Sequence, residues 1–131
     1  TYHETGKINK TEIHPYQIEG LGKNLIPGAL LFDKIDEYIR VNDEMSAYRT
    51  REIALKEAIM GGYTTGAVTQ ALIQYANSHE FTSDDLVVLI FPDHGSRYIT
   101  KVYSDQWMEE QGFINNCFHN YDEIFKTEII K

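Results

Sequence analysis

The chain has 131 residues, 42% of them hydrophobic, with 12 Lys and Arg against 20 Asp and Glu and a formal net charge of −8. That length accommodates one domain with a buried core, and the acidic balance argues against a nucleic-acid or anionic-membrane surface. The longest apolar run, Leu86 to Phe91, is far too short to span a bilayer, and the single cysteine, Cys117, excludes an internal disulfide and suits a reducing cytoplasm.

In chain order, Thr1 to His14 is polar, reads as a loop, and carries no signal-peptide pattern. Tyr16 to Ile18 alternates apolar and polar, a short strand signal that Gly20 and Gly22 interrupt. Pro27-Gly28 marks a turn. Phe32 to Val41 mixes both periods, and Ile35, Glu37, Ile39 and Val41 favour a strand ending at Val41. Asn42 or Asp43 then caps a helix with Glu44 in its first turn. The spacing of Met45, Tyr48, Ile53, Leu55, Ala58 and Ile59 carries that helix to about Met60. Arg49, Arg51 and Glu52 break its face, which predicts an amphipathic helix rather than a buried one.

A second helix shows Val68, Ala71, Leu72, Tyr75 and Ala76 at helical spacing and ends near Asn77. His79 to Asp85 is a polar loop. Leu86-Val87-Val88-Leu89-Ile90-Phe91 is a continuous apolar run of the kind found in buried parallel strands. Pro92 to Gly95 ends it, and Tyr98 to Gln111 reads as a helix closed by Gly112. Residues 114–131 read as a short edge strand or a tail. Helices alternating with a buried strand predict an α/β, three-layer arrangement around a mainly parallel sheet. The domain is then 1–113, with 114–131 as its tail. Ligands in such sheets sit beyond the carboxyl ends of the strands, which would bring the turn after Phe91 close to the loop before the second helix.

That loop, Ile59-Met60-Gly61-Gly62-Tyr63-Thr64-Thr65-Gly66-Ala67, is where chemistry concentrates. Two readings stay open. Gly62 ends one helix while Thr64 or Thr65 caps the next, or bare N–H groups at a helix start receive a planar or anionic ligand. The His residues at positions 3, 14, 79, 94 and 119 lack metal-ligand spacing, so no metal site is expected.

Four segments in this order resemble the C-terminal part of the cystathionine β-synthase and cysteine synthase family. Glu19 to Pro27 is similar to the family's EGIG..FIP loop, Gly62 to Ala67 to its GGSAGS or GISSGA loop, and Ile90 to Met108 to its LPD…Y.TK…D.WM end. Asn42-Asp43-Glu44 stands between the first two. The resemblance covers roughly residues 14 to 113 and implies a pyridoxal-phosphate enzyme of the second fold type, acting on small amino-acid and thiol substrates, cytoplasmic and homodimeric. The implied reaction removes a group from the β-carbon of serine or an O-activated serine and adds a thiol, giving cystathionine or cysteine in amino-acid biosynthesis.

The resemblance implies that Thr64 supplies a hydroxyl to the ring nitrogen of the cofactor. Gly62, Pro92 and Asp93 then line the cofactor site, and Gly20, Leu21 and Gly22 form the substrate loop. Tyr63 departs from the small residue usual at its position. Lys23 stands where some relatives carry an aromatic residue, and His94-Gly95 is similar to the cysteine synthase version of the motif, PSSGERY. Lys101, Asp105 and Trp107 are expected to serve packing and surface pairs. The family's cofactor-binding lysine, its asparagine contact and its glycine-threonine phosphate cup have no counterpart in this sequence. The expectation is therefore a portion of a larger enzyme, inactive alone and without catalytic residues of its own. The competing reading is a non-catalytic α/β module that binds an anion or a partner at the 62–67 loop.

Overall fold

The computed structural model describes residues 5–22 and 26–113. Three α-helices organise them: α1, Asp43–Glu57; α2, Tyr63–Ala76; and α3, Asp105–Glu110. Short 3₁₀ turns lie at Lys10–Glu12, Phe32–Lys34 and Gly95–Tyr98.

α1 starts where Asn42 Oδ1 accepts the Met45 N–H at 2.8 Å, with Asp43 and Glu44 in the first turn and Lys56 in the last. Both charge placements complement the helix dipole. The helix stops at Ala58, which takes the left-handed conformation (φ 56°, ψ 26°), a position that costs a residue with a Cβ ~1 kcal/mol. Helix α2 follows after only Ile59 to Gly62 and packs along α1.

Small residues let the two helices approach. A Cβ on Gly66 would lie 2.6 Å from the Thr50 amide nitrogen and collide with the Ser46 carbonyl. The Thr50 hydroxyl is shared between the Ser46 carbonyl (2.8 Å) and the Tyr63 carbonyl (3.2 Å). The core gathers Ile18, Ala47, Tyr48, Tyr63, Ala67, Tyr98, Val102 and Met108. Trp107 lies edge-on to both Tyr63 and Phe113, with ring centroids 6.1 and 5.9 Å apart.

Arg49 and Arg51 are buried rather than on a solvent face. Each is neutralised and hydrogen-bonded where it lies, which is what makes a buried guanidinium tolerable. Arg49 reaches Gln70 at 3.0 Å and Glu52 at 2.8 Å. Arg51 donates to the Val102 carbonyl at 2.6 Å and pairs with Asp105 at 2.7 Å.

The larger correction concerns the α/β three-layer sandwich. The described residues are helical and irregular and contain no strand; their single isolated β-bridge is antiparallel, between Gly61 and His94. Tyr16 to Ile18 forms no strand, and Phe32 to Val41 forms a 3₁₀ turn followed by irregular chain. The run from Leu86 to Phe91 forms no ladder, and Leu86, Val88 and Ile90 are 88%, 74% and 73% exposed. Apolar, β-branched composition favours a strand only where another strand takes its N–H and C=O groups. The expected helix from Tyr98 to Gln111 is likewise shorter. Ser104 starts α3 by capping Trp107 at 3.3 Å, and only a 3₁₀ turn precedes it. The 114–131 tail and Lys23 lie outside the described residues.

Candidate functional site

The site is built where the end of α1, the glycine loop and the 93–98 turn converge. Gly62 donates its N–H to the Asp93 carbonyl at 2.9 Å, and Gly95 donates to the Met60 carbonyl at 2.7 Å. This short antiparallel pairing fixes the glycine loop against the turn. Two tyrosine hydroxyls reinforce it. Tyr103 donates to the Gly61 carbonyl at 2.7 Å, and Tyr98 donates to Asp93 Oδ2 at 2.7 Å. Burial pushes both phenols upward, Tyr98 with help from its bond to Asp93, so both remain neutral donors at ordinary pH.

Glycine is required at this crossing by close approach. A Cβ on Gly62 would collide with the Asp93 carboxylate, coming 2.6 Å from its Cγ, and one on Gly61 would lie 2.7 Å from Thr65 Cβ. Gly95 sits equally tightly, 2.7 Å from the Gly61 carbonyl on the same measure.

Helix α2 begins at Tyr63 with Gly62 as its N-cap and no side-chain cap. The reading in which Thr64 or Thr65 caps this helix is thereby corrected, since both lie inside its first turn. A threonine two or three residues past the cap has no orphan N–H within reach of its hydroxyl in the way a capping residue does. Instead the hydroxyl oxygens of Thr64 and Thr65 are buried without a hydrogen-bond partner, as is Asp93 Oδ1. An unmet buried polar atom costs about 1–3 kcal/mol, and three such atoms belong to Thr64, Thr65 and Asp93.

Tyr63, the departure from the resemblance, points into the core. It is 1% exposed and donates its hydroxyl to the Asp43 carbonyl at 2.8 Å. Burial first, and the Asp43 charge second, raise its phenol far above the usual tyrosine range.

The substrate-loop candidates Gly20, Leu21 and Gly22 are exposed. Gly20 and Gly22 take positive φ, 85° and 79°, which glycine adopts freely. The loop is anchored rather than loose. Asp43 accepts the Gln17 N–H at 2.8 Å and the Ile18 N–H at 3.3 Å, and the Tyr16 hydroxyl donates to the Gly22 carbonyl at 2.7 Å. Lys101 pairs with Glu19.

The structure therefore brings Gly62, Thr64 and Asp93 into one neighbourhood. Pro92 sits beside them on an exposed turn. Asp43 connects this neighbourhood to the segment before Gly20 to Gly22 through Tyr63, Gln17 and Ile18, and the Lys101–Glu19 pair reaches the same loop from the Tyr98 side. In the sequence Asp43 stood out as a helix cap and as part of the Asn42-Asp43-Glu44 segment, while Tyr98 and Tyr103 had no assigned role. The acid beside a cap and the aromatic residues flanking the Asp93 turn were visible, but the partners of Asp43, 25 and 26 positions away, and of Tyr103, 42 positions away, were not. Among the described residues, no helix is long and apolar enough to cross a membrane.

Comparison with known proteins addresses the chemistry. Residues 1–93 match the model of the pyridoxal-phosphate dependent enzyme family. Cystathionine beta-synthase of Saccharomyces cerevisiae is 34% identical over 104 residues, covering 79% of this chain and 20% of the relative. N-(2-amino-2-carboxyethyl)-L-glutamate synthase of Cupriavidus metallidurans is 34% identical over 93 residues, covering 70% and 27%. Cystathionine beta-synthase of Apis mellifera is 30% identical over 112 residues, covering 86% and 22%. The chain thus spans between about a fifth and a quarter of the length of these relatives. The family match over residues 1–93 and the two relatives at 34% identity make this chain a member of the pyridoxal-phosphate-dependent enzymes, whose cofactor is pyridoxal phosphate.

Proposed function

We propose that this chain forms the part of a β-replacing enzyme that receives the ring-nitrogen side of pyridoxal phosphate, with Thr64 as the ring-nitrogen contact. The observation that carries this is the buried, unpartnered Thr64 hydroxyl at the start of α2, two residues from Gly62, whose amide binds the Asp93 carbonyl; Asp93 Oδ1 is likewise unpartnered. A hydroxyl that lacks a protein partner fits a ligand nitrogen, so the residues present suit the cofactor. Gly62 keeps the backbone close, Pro92 lines the rim, and Asp93 holds the turn through Tyr98. When bound, the cofactor supplies an electron sink for breaking a bond at the β-carbon of an amino acid. A neutral hydroxyl against the ring nitrogen leaves that sink moderate, which suits elimination at the β-carbon better than chemistry that stores a full carbanion.

Gly20, Leu21 and Gly22 orient the amino-acid substrate in this reading, their glycines permitting close backbone approach. The substrates are serine or an O-activated serine with a thiol acceptor, homocysteine or sulfide, and the products are cystathionine or cysteine. The working enzyme is a cytoplasmic homodimer in which other segments supply the lysine and the phosphate contacts, so this chain by itself is inactive. The relatives named cystathionine beta-synthase support the reaction class.

The test uses the full-length protein. Purified with pyridoxal phosphate, it is expected to show a visible cofactor band and to release a thioether or cysteine from serine or O-acetylserine with homocysteine or sulfide. Absence of the band in correctly folded protein would sink the reading. A band with no turnover of either acceptor would move the reaction to another class.

A further inference from the structure

We propose that Asp43 is the positioning residue that couples the substrate-facing loop to the cofactor-side start of α2. This rests on the proposed function for its catalytic consequence, but the coupling itself is a matter of hydrogen bonds on this chain. One residue makes contacts in both directions. Its carboxylate accepts the N–H groups of Gln17 (2.8 Å) and Ile18 (3.3 Å), immediately before the Gly20-Leu21-Gly22 turn. Its carbonyl accepts the Tyr63 hydroxyl (2.8 Å), and Tyr63 lies between Gly62 and Thr64. Neither end is free to drift. Ile18 is 2% exposed in the core, and Tyr63 is 1% exposed against Trp107.

Two features make Asp43 more than a helix-start acid. Asn42 already caps α1, so the Asp43 carboxylate is not needed for that. Its two oxygens instead meet two successive backbone donors of another segment, an arrangement that fixes the direction in which the loop leaves the core. The turn beyond, with its two positive-φ glycines and the Tyr16–Gly22 hydrogen bond, inherits that direction. A displacement at Tyr63 thus reaches the loop through a single residue. Asp43 touches no reacting atom in this arrangement; it acts through the loop.

The test compares Asp43→Asn and Tyr63→Phe in the full-length protein by amide hydrogen exchange at Gln17 and Ile18 and by steady-state kinetics. An asparagine keeps the shape but offers only one accepting oxygen. Exchange at these two amides is expected to quicken about tenfold in Asp43→Asn, the scale of losing one hydrogen bond to a charged acceptor. Tyr63→Phe, which leaves both carboxylate bonds intact, is expected to quicken the same amides by a smaller factor. KM for the amino-acid substrate should rise about tenfold in Asp43→Asn, with kcat and bound cofactor per chain nearly unchanged. Unchanged exchange at Gln17 and Ile18 in either variant overturns the proposal. So does a loss of cofactor and thermal stability with KM unchanged, which would make Asp43 a folding residue only. A wild-type protein without the cofactor band defeats the functional reading instead, and the exchange data then still decide the coupling.

Discussion

Gly62 and Asp93 are joined at two levels: the Gly62 amide binds the Asp93 carbonyl at 2.9 Å, and the Gly62 Cα lies so near the Asp93 side chain that no Cβ fits between them. The carboxylate cannot swing aside cheaply, because the Tyr98 hydroxyl holds its other oxygen at 2.7 Å. Two residues from different loops thus define one rigid corner, with Thr64 two residues beyond Gly62 in the first turn of α2.

Gly62→Ala should therefore act through Asp93. The overlap is expected to destabilise the protein by ~1–3 kcal/mol, the usual range for overpacking, and to lower cofactor occupancy in the full-length enzyme. The same substitution in an Asp93→Ala background should cost markedly less, since the colliding carboxylate is gone. Thermal denaturation of the four proteins of this cycle measures the coupling. Equal costs in both backgrounds would show that the corner is not set by this pair.

Gly66→Ala is expected to be worse, because the obstacle is backbone. The added methyl would meet the Ser46 carbonyl and the Thr50 amide of α1, which can yield only by separating the helices. We expect a loss of about 3 kcal/mol or more, unrelieved by Thr50→Ala, which leaves both backbone atoms in place. Denaturant melts of the single and double variants decide this; rescue by Thr50→Ala would mean that the hydroxyl, not the backbone, limits the approach.

These contacts also show where the sequence was legible. α1 and α2 followed from the Asn42 cap, the helical spacing of apolar residues and the glycine break, all signals within a few residues of the elements they define. The start of α2 was expected too late because Tyr63 to Thr65 read as loop chemistry, although the cap is Gly62 itself. The parallel sheet was inferred from Leu86 to Phe91, yet strand formation depends on a distant partner that composition does not reveal. The buried arginines were misread for a similar reason. Arg51 is tolerated because Val102 and Asp105 meet it, and nothing near Arg51 in the sequence announces them. Gly62 with Asp93 could be foreseen as neighbours through the resemblance, whereas Asp43 with Gln17 and Ile18 could not.

Alkaline pH should loosen the core through its phenols. Burial raises Tyr63, Tyr98 and Tyr103 above the ordinary tyrosine value, Tyr63 furthest. A raised folded-state pKa means that the neutral form is favoured by folding. Its contribution is fully present below the unfolded value of about 10 and is lost as pH rises from there toward the folded values. Stability should be flat with respect to these groups below about pH 9 and fall above about pH 10. Tyr63→Phe should flatten that fall while lowering stability at neutral pH by ~1 kcal/mol through the lost bond to Asp43. Denaturant midpoints across the alkaline range, followed with tyrosinate absorbance, test it. Free titration of all tyrosines in the folded protein would refute the burial argument.

Thr64→Asp in the full-length enzyme separates the electronic role of this residue from a structural one. A carboxylate at the ring nitrogen would favour its protonation and alter how electrons are held as the β-carbon bond breaks. In the proposed reading the phosphate and lysine contacts come from other segments, so most cofactor affinity should survive. The substitution also places a charge at a buried position whose present hydroxyl lacks a partner, so folding must be monitored, since an unpaired buried charge is costly. The dipole at the start of α2 partly offsets that cost. The expected outcome is occupancy largely retained and the rate of leaving-group release from the amino-acid substrate reduced by at least about tenfold, equivalent to ~1.4 kcal/mol in the barrier. Thr64→Ser, which keeps the oxygen, should preserve the rate. If both rate and occupancy of Thr64→Asp match the wild type, Thr64 does not face the ring nitrogen. If occupancy collapses before the rate changes, the hydroxyl holds the cofactor in place and the electronic argument fails.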